Sequence, residues 1–377
     1  MEATAAVLRE HTDAEDLVAA APAALETVEL PDPGPEEVLV EITAASLCHT
    51  DVSIVRGEMD RPLPMVMGHE GTGVVRAVGE GVDTVEPGDA VVLGRTTCGR
   101  CEFCRAGEGQ HCVHRSRIHR EGTLRTGGTR FTSPDGEALH HCHGVSSFST
   151  HTLVTEEVAI KVTDDLPPEQ ATLLGCGVFT GAGAALNTAD VEAGASVAVF
   201  GAGGVGLSTV QGARLSGAAQ IIAVDLVGEK LAVAEEVGAT HTVDSSEGDA
   251  VERVRELSDG GVDYAFDVVG HAQVTQQAVD CLAPLGQAVL VGTPPAGKDS
   301  LDLDLYDIVT SEKEIVGSFN GSYTLPVAIP KLAELAAQGK LQLEPMISAT
   351  RPLSAVTEAM HELETGTGIR QVLLPDV

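Results

Sequence analysis

Eight cysteines stand in this 377-residue chain, and four of them crowd into one short stretch: Cys98-x-x-Cys101-x-x-Cys104, then Cys112. Thiolates at that spacing suit a closed tetrahedral zinc site that pins a loop rather than performing chemistry. An iron–sulfur cluster takes four cysteines as well. A second group is scattered. It comprises Cys48 in Cys48-His49-Thr50-Asp51, the His69-Glu70 pair after Gly68, and Cys176 in Leu174-Gly175-Cys176-Gly177. These are zinc-binding residue types, but spacing alone does not join them. The third pattern is Gly201-Ala202-Gly203-Gly204-Val205-Gly206, a G-x-G-x-x-G. It follows an apolar run, residues 196–200, opens a helix from about Val205, and precedes a second apolar run that ends in Asp225. That is the setting of a dinucleotide-binding turn. Its glycine backbone approaches a pyrophosphate at a helix N-terminus, and the acid accepts from ribose hydroxyls. Asp225 would also repel a 2′-phosphate, which favours NAD over NADP.

The elements that must position these groups fall into two textures. The first half reads as short strands and turns: residues 38–42 after the Pro33-Gly34-Pro35 turn, then 73–79, then 90–93 after Pro87-Gly88-Asp89. This predicts an all-β, partly barrel-like unit. Near Val178 apolar strands begin to alternate with helices, at 196–200, 221–225, 241–244, 264–268, 288–291 and 315–319. That alternation predicts a parallel sheet covered on both faces. The tail carries a helix around residues 332–337 and a strand at 371–374, and is expected to return to the first domain. Cys281 reads as a core residue.

Lys and Arg together number 23 against 56 Asp and Glu, a formal net charge of −33, and only six residues are lysines. The acid is spread along the whole chain. Such a surface repels nucleic acid and anionic membranes and stays soluble where salt screens its self-repulsion. A host with a high-salt cytoplasm, such as a halophilic archaeon, is expected. The start, Met1-Glu2-Ala3-Thr4-Ala5, lacks the basic and apolar regions of a signal peptide, and no apolar run is long enough to span a bilayer. A cytoplasmic protein follows as the expectation, with cysteines serving as metal ligands rather than disulfides.

Taken together, these motifs make the chain resemble the zinc-containing medium-chain alcohol dehydrogenases, the class I and class III types most closely. Gly368-Ile369-Arg370 and His140-His141 followed by Gly144-Val145-Ser146-Ser147-Phe148-Ser149 add to the likeness. The resemblance implies an α/β chain with two domains. A GroES-like β-rich catalytic domain would span 1–177 and 320–377, with a structural zinc lobe at about 94–115. A Rossmann coenzyme domain would span 178–319.

The resemblance also implies roles. Cys48, His69 and Cys176 would hold a catalytic zinc, with Glu70 a transient ligand and Asp51 orienting His69. Cys98, Cys101, Cys104 and Cys112 would hold a second, structural zinc. Thr50 would take the alcohol proton, with Ser53 next in the relay, where the family usually has His or Tyr. A serine passes a proton only by rotating its hydroxyl or through water. His49 and Arg370 would contact the coenzyme pyrophosphate. Gly201, Gly203, Gly204, Val205 and Gly206 would cradle the coenzyme, Asp225 and Lys230 would hold the adenosine ribose, and the Val291 and Phe319 carbonyls would grip the nicotinamide amide.

The implied function is reversible, zinc-dependent oxidation of an alcohol to an aldehyde or ketone with NAD, in a homodimer rather than a tetramer. The alternatives are a thiol-adduct formaldehyde dehydrogenase and a non-catalytic NAD-binding member of the fold. The class III arginine that binds a thiol adduct's carboxylate falls at Ser116, with Arg115 and Arg117 on either side. Cys142, His143, Gly94 and Arg95 stand where the family places bulky apolar or aromatic pocket residues, which implies a smaller, more polar substrate pocket.

Overall fold

The computed structural model describes residues 1–163, 165–294 and 300–375. The remaining residues of the two expected domains, 164, 295–299 and 376–377, lie outside the described ones. The chain divides into two compact units, Met1–Cys176 with Thr324–Val377, and Gly177–Tyr323.

The first unit is β-rich. The strands Glu2–Leu8, Ala23–Glu29, Phe131–Thr132, Ala138–His141 and Met65–Val66 close into a small barrel. A seven-stranded sheet runs Ala159–Lys161, Ala90–Leu93, Gly71–Val78, Glu37–Ser46, Arg370–Leu374 and Ile347–Pro352, with His151–Thr155 also pairing on Glu37–Ser46. Glu37–Ser46 is the hub of that sheet. Its Val38, Val40 and Ile42 are buried in the main core, as β-branched residues on a covered pleat tend to be. The antiparallel register Ala45↔Gly71 brings the end of this strand beside the start of Gly71–Val78. Cys48 follows the first of these strands and His69-Glu70 precede the second, so the pairing carries 48 and 69 to the same edge. Gly175 does the same for Cys176. A Cβ there would lie 2.7 Å from the Leu93 carbonyl oxygen and 3.1 Å from Glu70 Cβ, so only a residue without a side chain lets this turn close on the sheet.

The second unit is a six-stranded parallel sheet, in the order His241–Asp244, Gln220–Asp225, Ser196–Phe200, Val262–Asp267, Leu282–Leu290 and Glu314–Gly317. Numbered along the chain this is 3-2-1-4-5-6, the doubly wound order, whose switch point lies between Ser196–Phe200 and Val262–Asp267. Apolar residues of these strands, such as Ala198, Ile222, Ala265 and Ala288, share one core.

Several elements differ from the sequence reading; the last strand of the sheet, expected at 315–319, ends at Gly317. The strand expected to reach Val268 stops at Asp267, whose carboxylate accepts from the amides of Val269 and Gly270 and from the Thr275 hydroxyl, which turns the chain. The tail helix begins at Leu325, not near 332. Pro326 sits in its first turn, where a missing N–H costs nothing, and Leu325, Ala328, Ile329 and Leu332 bury one face despite Pro330. Among the described residues, no helix is long and apolar enough to cross a membrane.

Candidate functional site

Cys48 is the N-cap of the helix His49–Val55, and Asp51 is its third residue. The Asp51 carboxylate accepts from the Cys48 backbone amide at 3.1 Å, closing a capping box. Its other oxygen takes His69 Nδ1 at 2.8 Å, and both side chains are fully buried. One carboxylate thus fixes the turn that presents Cys48 and the ring orientation of His69. It commits Nδ1 and leaves Nε2 for another partner. Nε2 is buried and has no hydrogen-bond partner.

That orphaned nitrogen belongs to a group whose ligand atoms, from Cys48, His69, Glu70 and Cys176, all lie within 4.8 Å of one another. A thiol pair converging with an unpartnered imidazole nitrogen is a donor set for zinc, whose bonds to sulfur and nitrogen run to about 2.0–2.3 Å. The two thiols share a hydrogen bond, which pulls Cys48 well below the usual thiol range and raises Cys176. A dication satisfies both sulfurs and the nitrogen at once, so the residues fit the ion. Glu70 is fully buried, and burial drives its carboxyl up to about 7 against the pull of Arg370. Arg370 donates to Glu70 at 3.1 and 3.3 Å and to the Leu47 carbonyl at 3.0 Å. The Arg370 side chain is 5% exposed. Its guanidinium is therefore engaged within the metal group, and only its buried Nε lacks a partner. Sequence reasoning assigned it to a coenzyme phosphate and missed this ion pair.

The four lobe cysteines also converge, with ligand atoms of Cys98, Cys101, Cys104 and Cys112 within 4.8 Å of one another. The amides of Arg100 and Cys101 point at Cys98 Sγ, at 3.5 and 3.3 Å, as N–H groups do around a thiolate. Among the described residues, His140, His141 and His143 join no metal-binding group. Cys281 is wholly buried.

Thr50 lies beside the first group, its hydroxyl 3.8 Å from Cys48 Sγ. Ser53, one turn along, donates to the Glu58 carboxylate at 2.7 Å. Glu58 is exposed. The sequence reading stopped at Ser53, and nothing in a lone Glu five residues on marked it as an acceptor. His49 stands exposed at the start of the same helix.

In the second unit the glycine loop has the shape its spacing implies. Gly201 adopts φ +101°, and a Cβ on Gly206 would lie 1.8 Å from the Gly201 carbonyl oxygen. The helix Gly204–Ser216 starts with no side-chain cap, so its first amides remain available to an anion. Asp225 ends the second strand, and its carboxylate accepts from Ala202 N at 2.6 Å and Val227 N at 3.0 Å. It thus ties the loop to the strand tip. Lys230 lies on the following helix, Gly228–Val237. Val291 and Phe319 follow the carboxyl ends of the last two strands, and the Phe319 carbonyl accepts from Ser322 N at 3.1 Å.

A family model described as the alcohol dehydrogenase GroES-like domain matches residues 34–164, and one described as zinc-binding dehydrogenase matches 204–337. An alcohol dehydrogenase zinc-binding domain protein from Burkholderia ambifaria is 38% identical with a TM-score of 0.94, the match covering 100% of both chains. Benzyl alcohol dehydrogenase from Acinetobacter calcoaceticus is 32% identical with a TM-score of 0.92, again over 100% of both chains. A protein of Sinorhizobium meliloti 1021 described as a zinc-binding dehydrogenase, bound to NADP, is 27% identical with a TM-score of 0.82 over 100% of both. With a GroES-like unit, a Rossmann unit and these matches across its whole length, the chain belongs to the zinc-binding alcohol dehydrogenase family of medium-chain oxidoreductases.

Proposed function

We propose that the protein oxidises an alcohol to an aldehyde or ketone, reversibly, with a catalytic zinc on Cys48, His69 and Cys176, a structural zinc on the four lobe cysteines, and NAD as hydride acceptor. The observation that carries the reading is the buried, unpartnered His69 Nε2 aimed into a group with two thiols, its other nitrogen held by Asp51. Bound zinc would supply the Lewis acidity that eases proton loss from an alcohol at neutral pH. Thr50 takes that proton, and Ser53 and Glu58 carry it to solvent. Glu70, held by Arg370, stands in reserve as an exchange ligand. The coenzyme phosphates sit on the amides that open Gly204–Ser216, and Arg370, buried and paired with Glu70, is not assigned to them. Asp225 and Lys230 hold the ribose, and the Val291 and Phe319 carbonyls the nicotinamide amide. Asp225 disfavours a 2′-phosphate by like charge at short range. The thiol-adduct formaldehyde dehydrogenase reading is the weaker one, because its arginine position is held by Ser116, on the helix Arg115–Glu121. We further propose a salt-requiring, cytoplasmic dimer. Among the described residues only Glu37, Asp51, Glu70 and Asp267 are buried acids, so the remaining charge faces solvent. Leu285, Leu305, Tyr306 and Val309 are each 70% exposed or more, and Glu314–Gly317 is an edge strand of its sheet, which leaves apolar surface and an open edge for a second copy.

Four outcomes are expected. Metal analysis of the purified protein gives two zincs per chain. Cys176→Ser retains one of them and loses turnover, while Cys101→Ser also retains one and melts earlier; near-normal turnover in a fully metallated Cys176→Ser protein would refute the ligand set. Asp225→Asn raises the ratio of kcat/KM for NADP over NAD on the order of ten-fold, the effect of removing one like charge beside a phosphate; wild-type enzyme preferring NADP would overturn the NAD assignment. Ser53→Ala and Glu58→Gln each lower kcat roughly ten-fold or more, with a changed solvent isotope effect, as loss of a proton path does; unchanged kcat in both removes them from the relay. Melting and sedimentation across KCl concentrations show a midpoint that climbs with salt and a particle of two chains, whereas full stability without salt or a monomer contradicts the corresponding part.

A further inference from the structure

Acid outnumbers base by 56 to 23 in this chain, so carboxylate partners are abundant. Accordingly, at least ten arginines are ion-paired. Arg61 and Arg95 are different. Among the described residues neither has a carboxylate at ion-pair distance. Arg61 donates to the Asp60 carbonyl at 2.7 Å and approaches His143 Nε2 at 3.4 Å from both Nε and a terminal nitrogen. Arg95 reaches Cys176 Sγ at 3.5 Å, and its Nε is buried without a partner.

Both cations lie around the metal group of the first unit. His143 stacks on His119 with centroids 4.1 Å apart and planes 12° from parallel, and its ring is 5.4 Å from that of His69. Neither histidine offers compensating charge or adds to it. Burial first, and then the nearby arginines, hold His119 down to about 2, while burial and then the neighbouring His119 and His69 push His143 well below the usual imidazole range. Arg115 contributes a third cation to the same neighbourhood. The nearest buried acid of the metal group, Glu70, is already paired with Arg370. With zinc bound, its two thiolate ligands would balance the dication, and the buried Asp51 carboxylate would offset only one of the two arginines, so Arg61 and Arg95 together would keep a positive charge. Guanidinium groups do not deprotonate in proteins. Sheltered, like-charged arginines without carboxylates are costly unless an anion completes them. The overall charge of −33 repels anions in bulk, so a local positive pocket is what would admit one.

We propose that Arg61 and Arg95 form an anion-recognition site beside the zinc ligands, so that the natural alcohol or aldehyde is short and carries a carboxylate at the end away from its reacting carbon. This rests on the dehydrogenase reading given above. A guanidinium binds a carboxylate through two parallel N–H···O bonds, which fixes orientation as well as affinity. Arg95 touches Cys176, so the anchored group lies only a few bonds from the carbon that reacts. In oxidation that carbon gives a hydride to NAD, its hydroxyl gives a proton to Thr50, and the carboxylate is unchanged.

The test compares an ω-hydroxycarboxylate with the diol of the same chain length, at fixed ionic strength, on the zinc-loaded enzyme. The wild type favours the hydroxycarboxylate in kcat/KM. Arg61→Gln, which touches no zinc ligand, lowers the ratio of hydroxycarboxylate over diol by about ten-fold or more, the scale of a lost charged hydrogen bond, with its zinc content unchanged. A wild type that favours the diol, or a ratio that Arg61→Gln leaves alone, overturns the proposal while the dehydrogenase reading stands. Calorimetric titration with a short carboxylate and with its amide decides the case where neither alcohol turns over. Binding of the carboxylate that Arg61→Gln weakens supports the anion site even as the activity reading fails. Absent binding, or binding that the variant keeps in full, removes the site as well.

Discussion

The Asp51 carboxylate is the constraint on which the first unit's chemistry depends. It is wholly buried, and it holds the Cys48 amide with one oxygen and His69 Nδ1 with the other. A buried carboxylate is tolerated only when its lone pairs are used, and here each use places a metal ligand. Losing either bond frees the imidazole to rotate or the helix start to fray, and each motion carries a donor atom out of the group. The backbone bond caps the helix, and the ring bond makes His69 a better donor at Nε2. Local helix stability and ligand geometry thus share one side chain.

The same economy governs the other buried charges near this site. Glu70 and Arg370 neutralise each other across the strands they adjoin, joining residues 300 positions apart in sequence. The pair also ties the C-terminal strand Arg370–Leu374 to the edge where Cys48 and His69 meet, through the Leu47 carbonyl and the Leu47 amide bond to Gln371. What is left after these pairings is a surplus of positive charge on Arg61 and Arg95. With zinc bound, the proposed site would be close to neutral at the metal and cationic to one side of it.

How much of this could be read from the residues follows from the range of the forces involved. The glycine turn was legible because its determinants are local: a positive φ at Gly201, close contact at Gly206, and an acid at the tip of the next strand. The parallel strands of the second unit were legible because strands buried on both faces give uninterrupted apolar runs, and the four lobe cysteines because they are near neighbours in the chain. The group proposed to hold the catalytic zinc was not. Cys48, His69 and Cys176 meet through the Ala45↔Gly71 register and the bare backbone of Gly175, neither of which leaves a spacing signal. Only the likeness to a known family joined them beforehand. Arg95 and His143 were legible as polar residues in place of apolar ones, but their shared surroundings with Arg61 and His119 required coordinates. Arg370 shows the converse, since a motif suggested a phosphate contact and the fold spends most of its guanidinium on Glu70.

The two metal groups stand in different relations to folding. The ligands of the first are seated on a continuous sheet whose core includes Val40, Ile42, Leu47 and Leu93, all nearly or fully buried. That core rests on hydrophobic burial and strand pairing, neither of which requires an ion. The lobe cysteines lie on a short helix, Glu102–Arg105, a single tight turn, Gly109–His111, and connecting loops, with exposed neighbours such as Phe103 and Val113. Those elements have too few residues to hold themselves by helix propensity, and they bury little apolar surface. Four sulfurs converging there without such a core would make a bound ion the main tie of the lobe, so that its binding energy would be folding energy. On the proposed reading the first ion would serve reactivity on a scaffold held by its own core, and the second would serve structure where the scaffold is thin.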